Sequence, residues 1–286
     1  MVARRTLGIL FGGRSAEHEV SVQSAASIWR AVDRSKYEVV PIAISKAGKW
    51  TAGMSPLAGL EVGAVVPEPE QAQDPACALA GVDIAFPVLH GPYGEDGTIQ
   101  GMLEILDIPY VGAGVLASSL CLDKAMAKLV FAQCGFPQGP FLTFHRNYCR
   151  QQPAAVLRAV EDQLGFPCFV KPANMGSSVG ISKVHIPDRL PQALELAADY
   201  DSKIVIEAFI DGREIECSVL GNEQPMASVP GEILPDAEFY DYQAKYVSDS
   251  QVLIPAPLTP QQVANVQQLA IDVFTAAGCS GLARVD

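Results

Sequence analysis

Short apolar runs alternate with stretches of helical spacing over the first third of the chain. Residues 7–11 are an apolar run that ends at a glycine pair, and apolar positions within 25–32 then recur three and four residues apart. The continuous run predicts a buried strand, and the spacing of three and four predicts one face of a helix. Further apolar runs at 39–44 and 82–89 predict two more buried strands. Strands that alternate with helices favour a parallel sheet with helices on its faces.

Three more segments complete this N-terminal part. Residues 99–106 repeat the helical spacing, and residues 109–111 predict another strand. Residues 60–80 carry prolines among acidic residues and glutamines, a composition that is typical of a surface loop. We therefore predict an α/β domain with a parallel sheet over residues 1–112.

The pattern changes from residue 123 onward. A helical stretch at 126–130 ends before Gly135, and a proline follows two residues later, as is typical after a helix. The next predicted elements are a strand, a helix, two strands, a helix and a strand, at residues 141–144, 156–164, 168–171, 179–184, 190–197 and 204–209. This order is typical of an α+β unit whose two middle strands form a hairpin. We predict a central subdomain at 113–206 and a C-terminal subdomain at 207–286.

Composition and charge limit the classes of partner. Of the 286 residues, 49% are hydrophobic and 18% are charged, which favours a folded chain over a disordered one. The formal net charge of -12 disfavours nucleic acids and anionic membranes as partners unless a local basic patch overrides it. The N-terminal apolar run stops at Gly12 without a small-residue cleavage signal, so it predicts a strand and not a signal peptide. No apolar stretch approaches the roughly 20 residues needed to cross a bilayer.

The seven cysteines lie at least 13 positions apart, so no CxxC pair is present. This spacing predicts neither disulfides nor a structural zinc site. Several cysteines lie in apolar runs, where a cysteine is typically a small buried hydrophobic residue. Together these features predict a reducing, cytoplasmic environment.

A lysine and a loop of small residues follow the apolar run at 168–170. Lys171 stands at the end of the predicted strand, and glycines and serines fill most of residues 176–180. Small side chains let the backbone approach an anion closely, and the lysine adds a cation. The lysine precedes the glycines, so this is not the GxxxxGK[ST] loop of P-loop NTPases. From the residues alone, a nucleotide-phosphate site and an ordinary hairpin turn both remain open.

Seven segments in one order carry a resemblance to a known family. They are FGGRSAEHEVS, HGPYGEDG, LDK, VKPANMGSSVG, IVIEAFIDGREIE, EFYDYQAKY and GLARVD. Each segment is weakly specific by itself, but the set at compatible spacing resembles the D-alanine:D-alanine ligases of the ATP-grasp superfamily. The resemblance covers essentially the whole chain. It implies an ATP-grasp fold preceded by a Rossmann-like N-terminal domain with a parallel sheet.

The resemblance also implies a reaction. In this family ATP phosphorylates the carboxylate of one D-alanine, and the amine of a second D-alanine attacks the acyl phosphate to give the dipeptide for bacterial peptidoglycan precursors. Phosphoryl transfer needs cations around the migrating group, and the resemblance supplies Lys124, Lys171 and Lys245. Asp286 is a hard oxygen ligand that suits Mg²⁺ or Mn²⁺. The nearby Lys128 is instead predicted to be a solvent-exposed surface residue.

Residue by residue, the resemblance implies an ATP site in the second half of the chain. Lys124 and Lys171 would contact the phosphates, and the backbone of Ser177 and Ser178 would close over them. Glu207 would accept a hydrogen bond from the adenine amino group. The remaining contacts, from the backbone to adenine and from a carboxylate to the ribose, would come from Phe209, Ile210 and Glu214.

The resemblance further implies a site for the amino acids. Glu17, at the start of the first predicted helix, would hold the ammonium of the first D-alanine, although a helix N-terminus also favours a carboxylate without any ligand. Ser177 and Tyr246 would hydrogen-bond with this glutamate and hold a polar loop as a lid over the substrates. Arg284 would stabilise the oxyanion and the leaving phosphate. His90 is either a catalytic base or a loop histidine bonded to the backbone.

Other functions stay open at this level. A ligase of the same fold could use D-lactate or D-serine as its second substrate, although the segment EFYDYQAKY favours D-alanine. A nucleotide-binding protein without turnover is the alternative from another class, and the substrate residues that accompany the ATP set disfavour it. The family is usually dimeric, which implies a homodimer.

One departure from the family concerns the C-terminal end. In the family, the RVD strand is followed by a strand with a Glu-x-Asn metal-binding pair, whereas this chain ends at Asp286. We expect the natural protein to continue by about 60 to 80 residues, the size that closes the core of a further domain. If it ended at Asp286, nucleotide binding without catalysis would be the better interpretation.

Overall fold

The computed structural model describes residues 4–53, 66, 68–234 and 251–286. The chain divides into two compact units, residues 1–119 and residues 120–286. Over the described ranges, no helix is long and apolar enough to cross a membrane. The three predicted domains are finer than this division and stay a prediction.

A four-stranded sheet forms the centre of the first unit. Its strands are β1 (Arg5–Gly12), β2 (Tyr37–Ile44), β3 (Trp50–Ala52) and β4 (Ile84–Pro87). In the order β3-β2-β1-β4, strand β1 pairs in parallel with both β2 and β4, while β3 is an antiparallel edge strand. The described helices of this unit are α1 (His18–Ala31), α2 (Pro75–Ala78) and α3 (Thr98–Ile105), and α4 (Val115–Leu122) continues from it into the second unit.

Both faces of this sheet carry hydrophobic core, because successive residues of β1 point to opposite sides. Ile9 and Phe11 pack with Val22 of α1 on one face. Leu10 packs with Leu103 of α3 on the other face. All five side chains are fully buried. A strand that is buried on both faces is continuously apolar, and this is why its pattern predicted it correctly.

The prediction of a strand at 109–111 is wrong. Tyr110 makes an isolated parallel bridge to Ala85 and belongs to no strand. The Ala85 N–H donates to the Pro109 carbonyl at 2.8 Å and the Val111 N–H donates to the Ala85 carbonyl at 3.0 Å, so the segment pairs with β4 only around this one residue.

The prediction of a surface loop at 60–80 is wrong for the part that forms α2. Asp74 caps this helix by accepting a hydrogen bond from the Ala76 N–H, and Pro75 occupies its first turn. Leu79, next to the helix, is 2% exposed and joins the core. Within this predicted loop, residues 60–65 and Pro67 lie outside the described residues.

An antiparallel sheet organises the first part of the second unit. Its strands are β5 (Phe141–His145), β6 (Cys168–Pro172), β7 (Ser182–Val184) and β8 (Lys203–Ala208), in the order β5-β8-β6-β7. Its described helices are α5 (Lys124–Gln133), α6 (Arg146–Gln151), α7 (Pro153–Gln163) and α8 (Leu190–Tyr200), with a 3₁₀ turn at Pro187–Arg189. Val160, Leu194 and Ile206 belong to the core that the helices and the sheet share. The predicted β6–β7 hairpin is confirmed, although β7 begins later than residue 179.

A second sheet lies in the last part of the chain. Its described strands are β9 (Glu214–Gly221), β10 (Met226–Ala227), β11 (Gly231–Leu234), β12 (Gln251–Leu253) and β13 (Gly281–Val285). Helix α9 (Pro260–Ala276) begins with a capping box between Thr259 and Gln262. Its Phe274 packs with Val219 of β9 in a separate core. Strand β13 pairs antiparallel with β9, which fixes the register of the residues it carries.

Candidate active site

A tight glycine turn after β1 positions the start of α1. Gly12 has φ +88°, and a Cβ there would lie 2.3 Å from the Ile44 carbonyl oxygen, so a side chain is excluded. The Gly13 N–H donates to that same oxygen at 2.7 Å. His18 Nδ1 hydrogen-bonds to the Gly13 carbonyl, also at 2.7 Å. The turn is therefore held at both ends, and Glu17 emerges from it at a defined place.

Glu17 is a buried carboxylate beside a second glycine loop. The residue is 5% exposed, and its N–H donates to Ser15 Oγ at 3.1 Å. A Cβ on Gly91 would lie 2.5 Å from Glu17 Oε2, so only glycine leaves room for the carboxylate. His90 precedes that glycine and pairs through Nε2 with Ser24 Oγ at 3.3 Å. The structure thus brings Glu17 and the His90 loop together within the first unit, while their roles toward a substrate stay a prediction.

A cavity of about 250 Å³ opens beside these residues. One wall is the glycine turn with Arg14 and Ser15, and the other includes His90 and Thr98. A concave space of this size suits a small polar molecule. Glu17 follows Ser15 by two residues but is itself buried and does not line this cavity.

The glycine-serine loop of the second unit has an uncommon backbone. Ser177 and Ser178 both have positive φ, at +44° and +61°. Such values are uncommon for residues with a side chain, and they concentrate where a loop has a functional geometry. Gly180, at φ +72°, has no room for a Cβ, which would lie 2.6 Å from the Tyr200 ring. Two consecutive residues with positive φ also occur in type I′ hairpin turns, so the backbone alone fits both interpretations of the loop.

Asp201 anchors the start of the same loop. One of its carboxylate oxygens accepts hydrogen bonds from the Asn174 N–H at 2.9 Å and from Asn174 Nδ2 at 2.8 Å. Burial would raise the pKa of Asp201, but the hydrogen bonds from the Asn174 side chain and from backbone N–H groups outweigh it and lower the pKa. The anchor is therefore ionised at neutral pH. No motif in the sequence points to this pair.

Lys124 reaches the loop from α5. Its N–H donates to the Ala173 carbonyl at 3.0 Å, and its Nζ donates to the Met175 carbonyl at 2.5 Å. Asp123 caps α5 and pairs with Lys203 Nζ at 2.5 Å. Lys124 is consequently a cation at the edge of the loop, and its contact with phosphates stays a prediction.

Two lysines share one buried carboxylate next to the loop. Lys171 Nζ lies 2.5 Å from Glu207 Oε2, and Lys128 Nζ lies 3.2 Å from Glu207 Oε1. The Glu207 side chain is 16% exposed. Burial would raise the pKa of this carboxyl, but the charges of Lys171 and Lys128 outweigh burial and lower it. Glu207 is therefore an ionised hydrogen-bond acceptor at neutral pH.

The prediction that Lys128 is a solvent-exposed surface residue is wrong. Its side chain is only 21% exposed, and its Nζ lies 5.3 Å from the centre of the Phe141 ring. Phe141 and Glu207 are register partners on β5 and β8, so one lysine contacts both. Lys128 follows Lys124 by four positions on α5, which places both on one helix face. That spacing was the signal in the sequence that could have identified it.

The other residues assigned to the adenine and ribose lie on and after β8. Phe209 packs against Phe169, and Lys183 Nζ lies 4.1 Å from the centre of its ring. The Phe209 N–H already donates to the Pro167 carbonyl at 3.2 Å, so a further backbone contact would use its carbonyl or Ile210. Ile210 is 66% exposed. Glu214 is exposed at the beginning of β9.

Arg284 is held between two carboxylates at the end of β13. Its Nε and Nη2 donate to the two oxygens of Asp286 at 2.6 and 2.9 Å. Its Nε also lies 3.2 Å from Glu216 Oε2 on β9. The guanidinium is half-exposed but fixed in direction, which suits it to a developing negative charge. The contribution of Glu216 was not identified in the sequence.

A divalent cation is not supported by the described residues alone. Among them, no group of three or more His, Cys, Asp or Glu side chains could hold a metal ion. The carboxylate of Asp286, the predicted metal ligand, is bound by Arg284. Metal binding at Asp286 therefore stays a prediction.

The remaining site predictions concern Lys245 and the network of Glu17, Ser177 and Tyr246. Lys245 and Tyr246 lie outside the described ranges. Glu17 belongs to the first unit, while Ser177 belongs to the second. The predicted network of Glu17, Ser177 and Tyr246 accordingly stays a prediction.

Comparison with known proteins gives a consistent result for both halves. Residues 6–113 match the family model described as the D-ala D-ala ligase N-terminus, and residues 130–286 match the D-ala D-ala ligase C-terminus. The D-alanine–D-alanine ligase of Natranaerobius thermophilus is 47% identical, over 98% of this chain and 80% of the relative. That of Thermoanaerobacter pseudethanolicus is 48% identical, over 99% of this chain and 83% of the relative.

Solved structures extend the comparison to the fold. A D-alanine-D-alanine ligase from Coxiella burnetii aligns with a TM-score of 0.81 and 34% identity, over 99% of this chain and 80% of its own. The VanG D-Ala:D-Ser ligase from Enterococcus faecalis aligns with a TM-score of 0.83 and 32% identity, over 99% of this chain and 85% of its own. The predicted fold, an ATP-grasp fold preceded by a parallel-sheet domain, is confirmed. The chain belongs to the D-alanine:D-alanine ligase family.

Proposed function

We propose that this chain joins two D-alanine molecules at the expense of ATP, through a D-alanyl phosphate, for peptidoglycan precursors. One observation carries the proposal. Relatives named D-alanine–D-alanine ligase are 47 and 48% identical over 98 and 99% of the chain. An amide cannot form from a carboxylate and an ammonium in water without activation, and the family supplies that activation with ATP.

The lysines support the ATP half of the reaction. Lys171 has three N–H donors, of which Glu207 takes one, so others can face a phosphate. Lys124 lies at the same loop through its contact with Met175. Cations placed in advance stabilise the charge that spreads over the migrating phosphoryl group. Glu207, kept ionised by its lysines, retains lone pairs to accept from an adenine amino group.

The first unit supports the amino-acid half. Glu17 would hold the ammonium of the first D-alanine, and the cavity lined by the neighbouring Ser15 and by His90 has room for that small molecule. In the second unit, Arg284 would stabilise the oxyanion that forms when the second amine attacks the acyl phosphate. The leaving phosphate is also negatively charged. The same guanidinium can therefore stabilise first the oxyanion and then the leaving phosphate.

Three further features belong to the same proposal. Mg²⁺ or Mn²⁺ would accompany ATP, with Asp286 as one ligand. A homodimer and a cytoplasmic location follow the usual behaviour of the family. Each is open to direct measurement, by metal titration, by mass in solution and by fractionation.

One observation raises D-serine as an alternative to D-alanine for the second amino acid of the reaction. The VanG structure is that of a D-Ala:D-Ser ligase. Its 32% identity, however, is well below the 47% of the D-alanine–D-alanine ligase of Natranaerobius thermophilus. D-Alanine is therefore the better assignment.

The direct test is product formation. Purified protein with ATP and Mg²⁺ should release phosphate and form D-alanyl-D-alanine only when D-alanine is present. L-Alanine serves as the matched control and should release no phosphate above background. Mixtures of D-alanine with D-serine or D-lactate should still yield mainly the D-alanine dipeptide. Phosphate release without any dipeptide, or a mixed product in excess, would contradict the assignment.

Replacing Lys128 with alanine should weaken nucleotide binding without removing catalysis. Glu207 would keep Lys171 as its partner but would lose the second charge that orients it. A partly buried ion pair that still has another partner is worth about 1 kcal/mol, or roughly fivefold in the dissociation constant of ADP. Calorimetry with ADP measures this change. Lys128→Arg retains the charge and should bind like the unaltered protein, whereas equal ADP affinity in all three proteins would rule out this role for Lys128.

A further inference from the structure

One lysine of the second unit joins three segments that meet beside the glycine-serine loop. Lys203 is the first residue of β8. Its Nζ donates to Asp123 Oδ2 at 2.5 Å, its carbonyl accepts from the Ala173 N–H at 3.0 Å, and its N–H donates to Asp201 Oδ1 at 3.1 Å. The side chain therefore reaches the start of α5, while the backbone holds the residue after β6 and the aspartate that anchors the loop.

Asp123 depends on Lys203 for the compensation of its charge. Its Oδ1 caps α5 by accepting from the Met126 N–H at 3.1 Å, and its Oδ2 accepts from Lys203. The Asp123 side chain is only 13% exposed. A carboxylate with so little access to water is costly unless a cation compensates its charge. Without Lys203, Asp123 would turn toward water, and the first turn of α5 would lose its cap.

Lys124 is the first residue of that turn and is held by the same contacts. Its N–H donates to the Ala173 carbonyl at 3.0 Å, and the Ala173 N–H donates in turn to the Lys203 carbonyl. Its Nζ donates to the Met175 carbonyl at 2.5 Å. Lys124 is thus linked to Lys203 twice, through Asp123 and through Ala173, and its ammonium lies at the loop as a result.

We propose that Lys203 is a positioning residue for the phosphates of ATP, because it holds Lys124 at the glycine-serine loop through Asp123. The proposal rests on the proposed function, in which Lys124 contacts those phosphates. A cation stabilises a phosphate more when its position is fixed beforehand, since binding then spends less free energy on ordering it. The ammonium of Lys203 is paired with Asp123, so its effect on ATP passes through Lys124.

The sequence gives no local sign of this role. Asp123 and Lys124 belong to the segment LDK, whereas Lys203 stands immediately before the segment IVIEAFIDGREIE and outside all seven segments. Asp123 and Lys203 are 80 positions apart in the chain. Only the packing of α5 against the start of β8 brings the two charges together.

The test is a double-variant cycle on the affinity for ADP, measured by calorimetry. Lys203→Met removes the charge and the donors but keeps a long unbranched side chain. Lys203→Met should weaken ADP binding about fivefold, and Lys124→Ala about tenfold. The double variant should bind ADP like Lys124→Ala alone, because the effects of residues that act as one unit do not add. Lys203→Arg retains a charged donor for Asp123 and should bind ADP like the unaltered protein.

A second variant removes the ion pair from its other side. Asp123→Asn retains a good helix cap but loses the charge that Lys203 needs. It should weaken ADP binding by the same factor as Lys203→Met, and thermal unfolding of each variant shows that the fold is intact. Arg150→Met is the matched control, since it removes an ion pair of the same unit, to Glu195 at 2.7 Å, between two residues that are not candidate site residues. Its ADP affinity should be unchanged.

The possible results separate the positioning role from the proposed function. Losses that multiply in the double variant, to about fiftyfold, would show that Lys203 meets the phosphates independently of Lys124 and would overturn the proposal. Normal ADP affinity in folded Lys203→Met and Asp123→Asn would overturn it too. Normal ADP affinity in Lys124→Ala would instead contradict the assignment of Lys124 to the phosphates, and the positioning role would fall with that assignment.

Discussion

Replacing Lys171 with alanine should lower the turnover number for dipeptide formation by about 10² to 10³-fold. Lys171 is 20% exposed and held by Glu207 at 2.5 Å, so it is a fixed cation at the edge of the loop. Loss of one such preorganised group costs about 3 kcal/mol of transition-state stabilisation. Steady-state kinetics with D-alanine, at saturating ATP, measure the change.

The control for Lys171 must be a lysine that contacts no candidate site residue. Lys36 fits, because its side chain is 72% exposed and pairs with Asp33. Lys36→Ala should leave turnover unchanged. Lys171→Ala also removes a partner of the buried Glu207, so thermal unfolding should accompany the kinetics. A stable Lys171→Ala protein with normal turnover would show that this lysine does not face the phosphates.

Much of the fold could be predicted from the sequence because its central strands are buried on both faces. Strand β1 is continuously apolar for that reason, and its pattern leaves little ambiguity. The edge strand β3 has three residues, and only one of them, Trp50, is buried, so it produces no comparable run. Helix α4 was missed too, since its apolar residues surround the helix and leave no single face.

Candidate site residues could be predicted from the sequence only where they stand in a recognisable motif. Glu17, Lys171 and Glu207 stand in segments that carry the family resemblance. In the structure Glu17 lies beside Gly91, and Lys171 and Glu207 form an ion pair. Lys128 and Asp201 act through partners that are distant in the chain. Lys128 meets Glu207 from another element, and Asp201 binds Asn174 across 27 positions. Pairs of this kind depend on how the elements pack, which no local pattern records.

Replacing Arg284 with alanine should lower turnover by about 10² to 10³-fold while leaving the affinity for ADP unchanged. The guanidinium is fixed by Asp286 at 2.6 and 2.9 Å and by Glu216 at 3.2 Å, so its direction is set before substrates arrive. Its proposed target, the oxyanion, exists only during the attack of the second amine. The loss should therefore fall on the dipeptide step. Rapid-quench measurement of phosphate and dipeptide in one turnover separates that step from nucleotide binding.

Arg284→Lys distinguishes the charge from the geometry of the guanidinium. A lysine keeps the positive charge but cannot bind the two oxygens of Asp286 in parallel, so its direction is no longer fixed. We expect about tenfold slower turnover for Arg284→Lys, between the unaltered protein and Arg284→Ala. Arg158, on the exposed surface of α7, provides the matched control, and Arg158→Ala should behave normally. If Arg284→Lys were as active as the unaltered protein, charge alone would account for the effect, and the fixed geometry between Asp286 and Glu216 would have no catalytic value.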